Sequence, residues 1–374
     1  MTLTIQPGPL RGEVTAPPSK SLSHRALIAS FLSHGGIVEN LAENDDIAAT
    51  RDCLEAIKTG GVLNCRESGS TIRFLIPLAL VFRDEAAFTG SKRLLERPLE
   101  PYLKLFGAER TETGFILRGK LKPGRFSLPG NVSSQFITGL LFALPLLDGE
   151  SRIVLTSALE SKPYVDLTLQ VLNAYGIRID SAADGWAVPG GQTYRPCRYA
   201  VEGDESAAAF WRVANALGSD VICGGLNPHS IQGDRVIENI IREDARVIDA
   251  RECPDLVPAL AVLCCFRDGE SRVVNAGRLR IKESDRLSAI AGELNKLGAK
   301  ITELPDGLVI QGAPALNGGN VNSHNDHRIA MALAVAATRC VGAVTIRGAE
   351  CVSKSYPAFF EDFNTLGGRY EYVR

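Results

Sequence analysis

Pro18-Ser19-Lys20-Ser21-Leu22-Ser23-His24-Arg25 runs directly into the apolar stretch 26–31. A Ser-rich polar loop opening an Ala/Leu-rich run predicts a helix start, because Ser, Asp and Asn are good N-caps. The free N–H groups and positive dipole end of such a start also suit a phosphate or carboxylate. The recipe recurs along the chain. Ser68-Gly69-Ser70-Thr71-Ile72-Arg73 precedes 74–82, and Ser133-Ser134-Gln135 precedes 136–147. Gly203-Asp204-Glu205-Ser206 precedes 207–217, Glu283-Ser284-Asp285-Arg286 precedes 287–297, and Asn325-Asp326-His327-Arg328 precedes 329–337. Capping alone carries little, since every helix needs it. The basic residues carry more: Arg25, Arg73, Arg286 and Arg328 are expected in first helical turns, where the macrodipole disfavours a cation. Repeated violation of a local rule points to function, here to helix N-termini converging on an anion.

The helix ends repeat as well. Tyr102-Leu103-Lys104-Leu105-Phe106-Gly107, Leu172-Asn173-Ala174-Tyr175-Gly176 and Leu294-Asn295-Lys296-Leu297-Gly298 each close an apolar run on Gly, with a strand expected after it. Weaker copies end at Gly60 and Gly367. Gly107 to Gly176 and Gly298 to Gly367 are both 69 residues, which suggests a duplicated α/β architecture. A chain of 374 residues is also longer than one core usually serves. Two similar halves with an anion site in the cleft between them are expected.

Apolar content of 45%, charged content of 22% and a net charge of −2 are those of an ordinary globular protein. No basic excess points to nucleic acid or a membrane surface. Nine cysteines, without a C-x-x-C pair, read as buried thiols in a reducing compartment rather than a disulfide framework or zinc site. Met1-Thr2-Leu3-Thr4-Ile5 alternates like a strand and has no signal-peptide core. The longest apolar stretches, such as 257–266 and 329–337, are too short to span a bilayer. A cytoplasmic enzyme is expected, with small anionic substrates, no cofactor and no metal, acting as a monomer without nucleic-acid or membrane partners. Neither G-x-x-x-x-G-K-[ST], H-E-x-x-H nor G-x-S-x-G occurs, so nucleotide hydrolysis, zinc chemistry and serine hydrolysis lack a motif.

At PSKSLSHR (18–25), GSTIR (69–73), RLLERP (93–98), VSSQF (132–136), SKPY (161–164), CPDLVPAL (253–260), KESDR (282–286), NDHR (325–328) and KSYP (354–357), the chain resembles the 5-enolpyruvylshikimate-3-phosphate synthases. Each segment alone is weak; their order and spacing carry the resemblance along nearly the whole chain. It implies a two-domain enolpyruvyl transferase fold, each domain built from three βαβαββ repeats. One domain would be 20–203 and the other 1–19 plus 204–374, with crossings near 16–19 and 201–205.

The resemblance implies transfer of the enolpyruvyl group of phosphoenolpyruvate to the 5-hydroxyl of shikimate 3-phosphate, with release of phosphate. Lys20, Ser21, Arg25, Ser133, Ser134, Gln135, Ser161, Asp255 and Lys282 would then contact shikimate 3-phosphate. Lys20, Gly69, Arg93, Gln135, Arg286, Arg328 and Lys354 would hold phosphoenolpyruvate. The Arg fork suits this task because it grips phosphate or carboxylate through two hydrogen bonds. Gly69 would let the backbone approach the small ligand. Asp255, Glu283, Lys20 and His327 are the implied acid–base groups. A carboxylate among cations stays ionised, which suits Asp255 as base and counts against Glu283 as acid.

Three departures stand out. Family members are usually longer, and the links at 57–67 and 242–252 look cut, so one repeat in each domain is expected to be abbreviated. Glu67 and Ser70 replace the family's common Asn and Thr, and Arg278 replaces a polar residue. Gly69 is kept, which implies sensitivity to glyphosate. Two alternatives are an enolpyruvyl transferase acting on UDP-N-acetylglucosamine and a non-catalytic paralogue that binds phosphorylated ligands. The first usually has a reactive Cys in the loop matching 91–98, absent here; the intact Lys20, Asp255, Glu283, Arg286 and Arg328 argue against the second.

Overall fold

A computed structural model describes residues 1–373. The chain divides into two compact units, Pro18–Glu202 and Met1–Pro17 with Gly203 onward. Each has its own apolar core. No helix among the described residues is long and apolar enough to cross a membrane.

In each unit, two four-stranded sheets share one pattern. Leu63–Asn64 pairs parallel with Glu85–Thr89, which pairs antiparallel with Gly114–Arg118, and that with Glu109–Arg110. Arg125–Leu128, Ser151–Leu155, Gly185–Val188 and Asp180–Ala182 repeat this order. In the other unit Val247–Asp249, Glu270–Val274, Gly307–Gln311 and Lys300–Leu304 do the same. The last sheet is completed from the chain's beginning: Gly319–Asn322 and Val344–Arg347 are followed in the sheet by Thr2–Gln6 and then Arg369–Tyr372.

The third sheet of each unit has two parallel strands. Arg198–Ala200 pairs with Ile37–Glu39, and Asp220–Gly224 with Arg11–Thr15. Their helices are present: Lys20–Leu32 and Asp45–Thr59 in one unit, Glu205–Ala216 and Ile237–Arg242 in the other. The closing hairpin is not. After Thr59 the chain passes through Gly60-Gly61-Val62 into Leu63–Asn64, and after Arg242 it runs directly to Val247–Asp249. The abbreviated repeats expected at 57–67 and 242–252 are therefore hairpin deletions at matching places in the two units.

The expected helix ends form. Gly107 and Gly298 follow their helices at φ 65 and 90, left-handed values that a Cβ would oppose. Caps form too: Ser68, Asp204, Asp285 and Asp326 each accept a backbone N–H two or three residues on. One expectation needs correction. Arg286 opens its helix and Arg328 is the second residue of its own, but Lys20–Leu32 starts just after Ser19 and Gly69–Phe82 just after Ser68. Arg25 and Arg73 thus lie in second turns. There the dipole objection lapses, and both stack on aromatic rings, Arg25 over Phe74 at 5.2 Å and Arg73 over Phe136 at 5.4 Å. Of the nine free cysteines seven are buried, while Cys197 and Cys223 are half-buried.

Candidate active site

In unit Pro18–Glu202 the polar residues sit at five helix starts. Lys20 opens its helix, and its Nζ lies 3.1 Å from Asp46 Oδ2 at the start of Asp45–Thr59. Ser21 follows Lys20, and its carbonyl accepts from Arg25 Nη1 at 2.6 Å. Arg25 is buried; its Nε donates to Thr168 Oγ1 and its Nη2 to the Tyr164 carbonyl. Burial lowers it to about 10, against the pull of Tyr164 and Tyr199. His24 is buried with Nδ1 2.8 Å from Thr50 Oγ1. Burial first, then Lys20 and Arg25, hold it well below its ordinary value, so it is neutral.

Gly69 opens the next helix. Arg73, one turn on, donates to Gln135 Oε1 at 2.7 Å and to the Pro98 carbonyl. Gln135 Nε2 in turn donates to Ser70 Oγ at 2.9 Å. The carboxamide is thereby oriented by one donor and one acceptor. Ser133 caps helix Ser134–Ala143 by accepting from Gln135 N–H, and Ser134 is its buried first residue. Ser161 precedes Lys162–Ala174 at φ 56, buried and without a side-chain cap bond. Left-handed backbone at a non-Gly residue is strain of the kind that collects at functional sites. Arg93 is exposed on the short helix Lys92–Glu96.

In the other unit one guanidinium organises the charges. Arg286, 1% exposed, donates from Nε to Asp326 Oδ2, from Nη1 to Asp255 Oδ1 and from Nη2 to Glu283 Oε2, each at 2.8 Å. Burial opposes its charge, but Asp326, Glu283 and Asp255 outweigh that and hold it above its usual range. Asp255 Oδ2 accepts from Arg328 Nη2 at 3.0 Å, and Lys282 Nζ lies 3.7 Å from Oδ1. Burial raises the Asp255 carboxyl, yet Arg328, Lys282 and Arg286 together bring it well below the usual carboxylate range. Burial and Arg286 lower Lys282 to about 8 despite Asp255. Such a set offers an ionised oxygen base ringed by cations that suit an anionic ligand.

A family model described as EPSP synthase (3-phosphoshikimate 1-carboxyvinyltransferase) matches residues 5–61, 54–250 and 241–363. The chain belongs to the EPSP synthase family. A 3-phosphoshikimate 1-carboxyvinyltransferase of Clostridium kluyveri is 45% identical over 417 aligned positions, covering 98% of this chain and 97% of the relative. That of Clostridium acetobutylicum is 44% identical, covering 97% of each. Among solved structures, an EPSP synthase of Acinetobacter baumannii is similar with a TM-score of 0.78 at 26% identity, covering 99% of this chain and 100% of that one. The matched segments break at 54–61 and 241–250, where the hairpins are missing. An alignment of 417 positions against 374 residues likewise places extra residues in the EPSP synthase relative.

Set against this EPSP synthase framework, the expected residues fall into two groups. Asp255, Lys282, Glu283, Arg286 and Arg328 touch directly or through one neighbour. Lys354 Nζ lies 2.6 Å from the Asn325 carbonyl. His327 is buried, Nδ1 3.9 Å from Asp326 Oδ1. Arg278 donates to the Arg251 carbonyl. In the other unit Lys20, Ser21 and Arg25 share one helix, and Gln135 meets the Gly69 helix through Arg73 and Ser70. Sequence reasoning missed Asp326, fully buried at the centre of the Arg286 contacts, although the NDHR segment contains it. It missed Asp46 and Arg97 as well. Asn44, which caps helix Asp45–Thr59 by accepting from Ile47 N–H, and the second Arg of RLLERP were the available signals.

Proposed function

We infer that this chain transfers the enolpyruvyl group of phosphoenolpyruvate to the 5-hydroxyl of shikimate 3-phosphate. A bond forms between O5 and C2 of phosphoenolpyruvate, the bond from C2 to the phosphate oxygen breaks, and the hydroxyl proton leaves with phosphate. One observation carries the reading: relatives 44–45% identical over 97–98% of the chain are 3-phosphoshikimate 1-carboxyvinyltransferases. It leaves nothing to favour the UDP-N-acetylglucosamine or non-catalytic alternatives.

Residues of both units serve this reaction in our reading. Asp255 takes the 5-hydroxyl proton; its ionised form and partial exposure support that role. Addition across the enol double bond puts a proton on the methylene carbon, with Glu283, Lys20 and His327 as candidate donors; loss of phosphate from the adduct then takes one proton back from that methyl carbon and restores the double bond. Lys20, Ser21, Arg25, Ser133, Ser134, Gln135, Ser161 and Lys282 bind shikimate 3-phosphate. Gly69, Arg93, Gln135, Arg286, Arg328 and Lys354, with Lys20, bind phosphoenolpyruvate. The enzyme works as a cytoplasmic monomer. Mixing the protein with both substrates and following phosphate release tests the activity; no release from folded protein overturns it.

A further inference from the structure

Helix Arg286–Lys296 grips the chain ahead of helix His327–Ala337 at two points, not one. Arg286 and Glu293 are seven residues, two turns, apart and share a helix face. Arg286 holds Asp326 through Nε at 2.8 Å. Glu293 holds the segment just before it. Its carboxylate is 3% exposed and fully partnered: Oε2 accepts from Asn322 N–H at 3.0 Å, and Oε1 lies 2.6 Å from His324 Nε2. Lys296 Nζ lies 2.8 Å from both oxygens. A buried carboxylate persists only with such partners.

The gripped segment is strained. His324 and Asn325 are consecutive left-handed residues, φ 52 and 55, and neither is glycine. Such backbone persists where its surroundings over-determine it. Here Asn322 Oδ1 accepts from His324 N–H at 2.7 Å, and Ser323 Oγ accepts from Asn325 N–H while donating to the Gly348 carbonyl. The strained turn aims the Asn325 carbonyl at Lys354 Nζ, 2.6 Å away. Nothing in the resemblance or the motifs singled out Glu293 or His324.

We infer that Glu293 is a positioning residue that, through His324 and Asn322, fixes the Asn325 turn and so sets where the Lys354 ammonium stands. Glu293 lies outside the set of substrate contacts proposed above. The inference rests on the reading of Lys354 as a phosphoenolpyruvate contact. Releasing the grip lets the turn relax, withdraws the Asn325 carbonyl from Lys354 and weakens phosphoenolpyruvate binding selectively.

Steady-state kinetics on the full chain test this. Glu293→Ala should raise KM for phosphoenolpyruvate about tenfold while KM for shikimate 3-phosphate changes less than about twofold. Glu293→Gln, which keeps an acceptor for Asn322 N–H, should recover part of that loss. Combining Glu293→Ala with Lys354→Met should add little to Lys354→Met alone, because both act on one group. Should Glu293→Ala fail to fold, His324→Ala makes the same test, with a rise of about fivefold expected. Equal rises in both KM values, a change in kcat or thermal midpoint alone, or simple additivity in the double variant overturns the inference. Lys354→Met without effect on KM overturns the Lys354 reading and this inference together. Lys354→Met with its effect but Glu293→Ala without one overturns only the inference.

Discussion

The Arg97 guanidinium lies against Gly69 so closely that a Cβ on that glycine would meet Nη1 and Nη2 at 2.7 Å. The glycine was expected to make room for a ligand; in this structure it makes room for an arginine. Arg97 is itself buried, and its backbone sits beside Pro98, whose carbonyl holds Arg73.

Gly69→Ala should therefore displace Arg97 without breaking the helix, since Ala is a good helix former and the clash falls on the end of a flexible side chain. The thermal midpoint should shift by no more than about 3 °C. KM for phosphoenolpyruvate should rise about tenfold, and glyphosate inhibition should weaken by at least as much. Inhibition assays on both proteins check this. Wild-type enzyme fully active at millimolar glyphosate would instead remove the proposed sensitivity.

Asp255→Asn keeps the shape of the side chain and removes the base. The expected loss in kcat is about 10²–10⁴-fold. The pH profile sharpens the test. Arg328, Lys282 and Arg286 hold the Asp255 carboxyl well below its usual range, so it stays ionised as pH falls from 7 to 5. An acid limb of kcat/KM in that interval should survive in any residual activity of the variant, because it belongs to another group.

Asp234 provides a stability test with the opposite sign. It is buried, its Oδ2 accepts from Ser206 Oγ, and its Oδ1 has no hydrogen-bond partner among the described residues. Burial first, then Asp255 and Asp204, against Arg328 and the Ser206 bond, push it up to about 7. A carboxyl raised above its unfolded value keeps the folded state protonated. Stability is then lost as pH rises from the unfolded value through 7. Asp234→Asn should stabilise the protein relative to wild type at pH 8, on the order of 1–3 kcal/mol, and little at pH 4. Thermal unfolding at the two pH values measures it; equal shifts at both would refute the titration.

The repeated helix-and-glycine punctuation was readable in sequence because each copy is a local event: an apolar run, a cap, a left-handed Gly. The two deleted hairpins were readable as short intervals. The depth of Arg25 was not, since nothing local says that Tyr164 and Thr168, far along the chain, will close over it. Asp326 was hidden for a related reason. As a cap it looks like every other Asp before a helix, and only tertiary packing puts Arg286 and Ser284 on its oxygens. Local rules predict elements; which buried charge becomes a hub depends on contacts that close over long sequence separations.

The missing hairpins leave exposed strands, with Ile37 and Ile222 53% and 61% exposed. Open strand edges invite pairing with other chains. Strand Asp220–Gly224 has a partial remedy: Asn215 Oδ1 accepts from Val221 N–H, and Asn215 Nδ2 donates to the Val221 carbonyl, both at 2.8 Å. Asn295 treats Ile301 the same way. A strand with one residue's N–H and carbonyl both engaged by a side chain has fewer groups to offer a neighbour. Asn215→Ala removes two hydrogen bonds at an exposed position, which should cost about 1 kcal/mol. Concentrated protein should also aggregate sooner, while KM for both substrates stays at the wild-type value because Asn215 lies outside the proposed site. Light scattering during a concentration series reads this out, and adding Ile222→Lys should suppress the aggregation. Aggregation that persists with the charge in place would locate the sticky surface elsewhere.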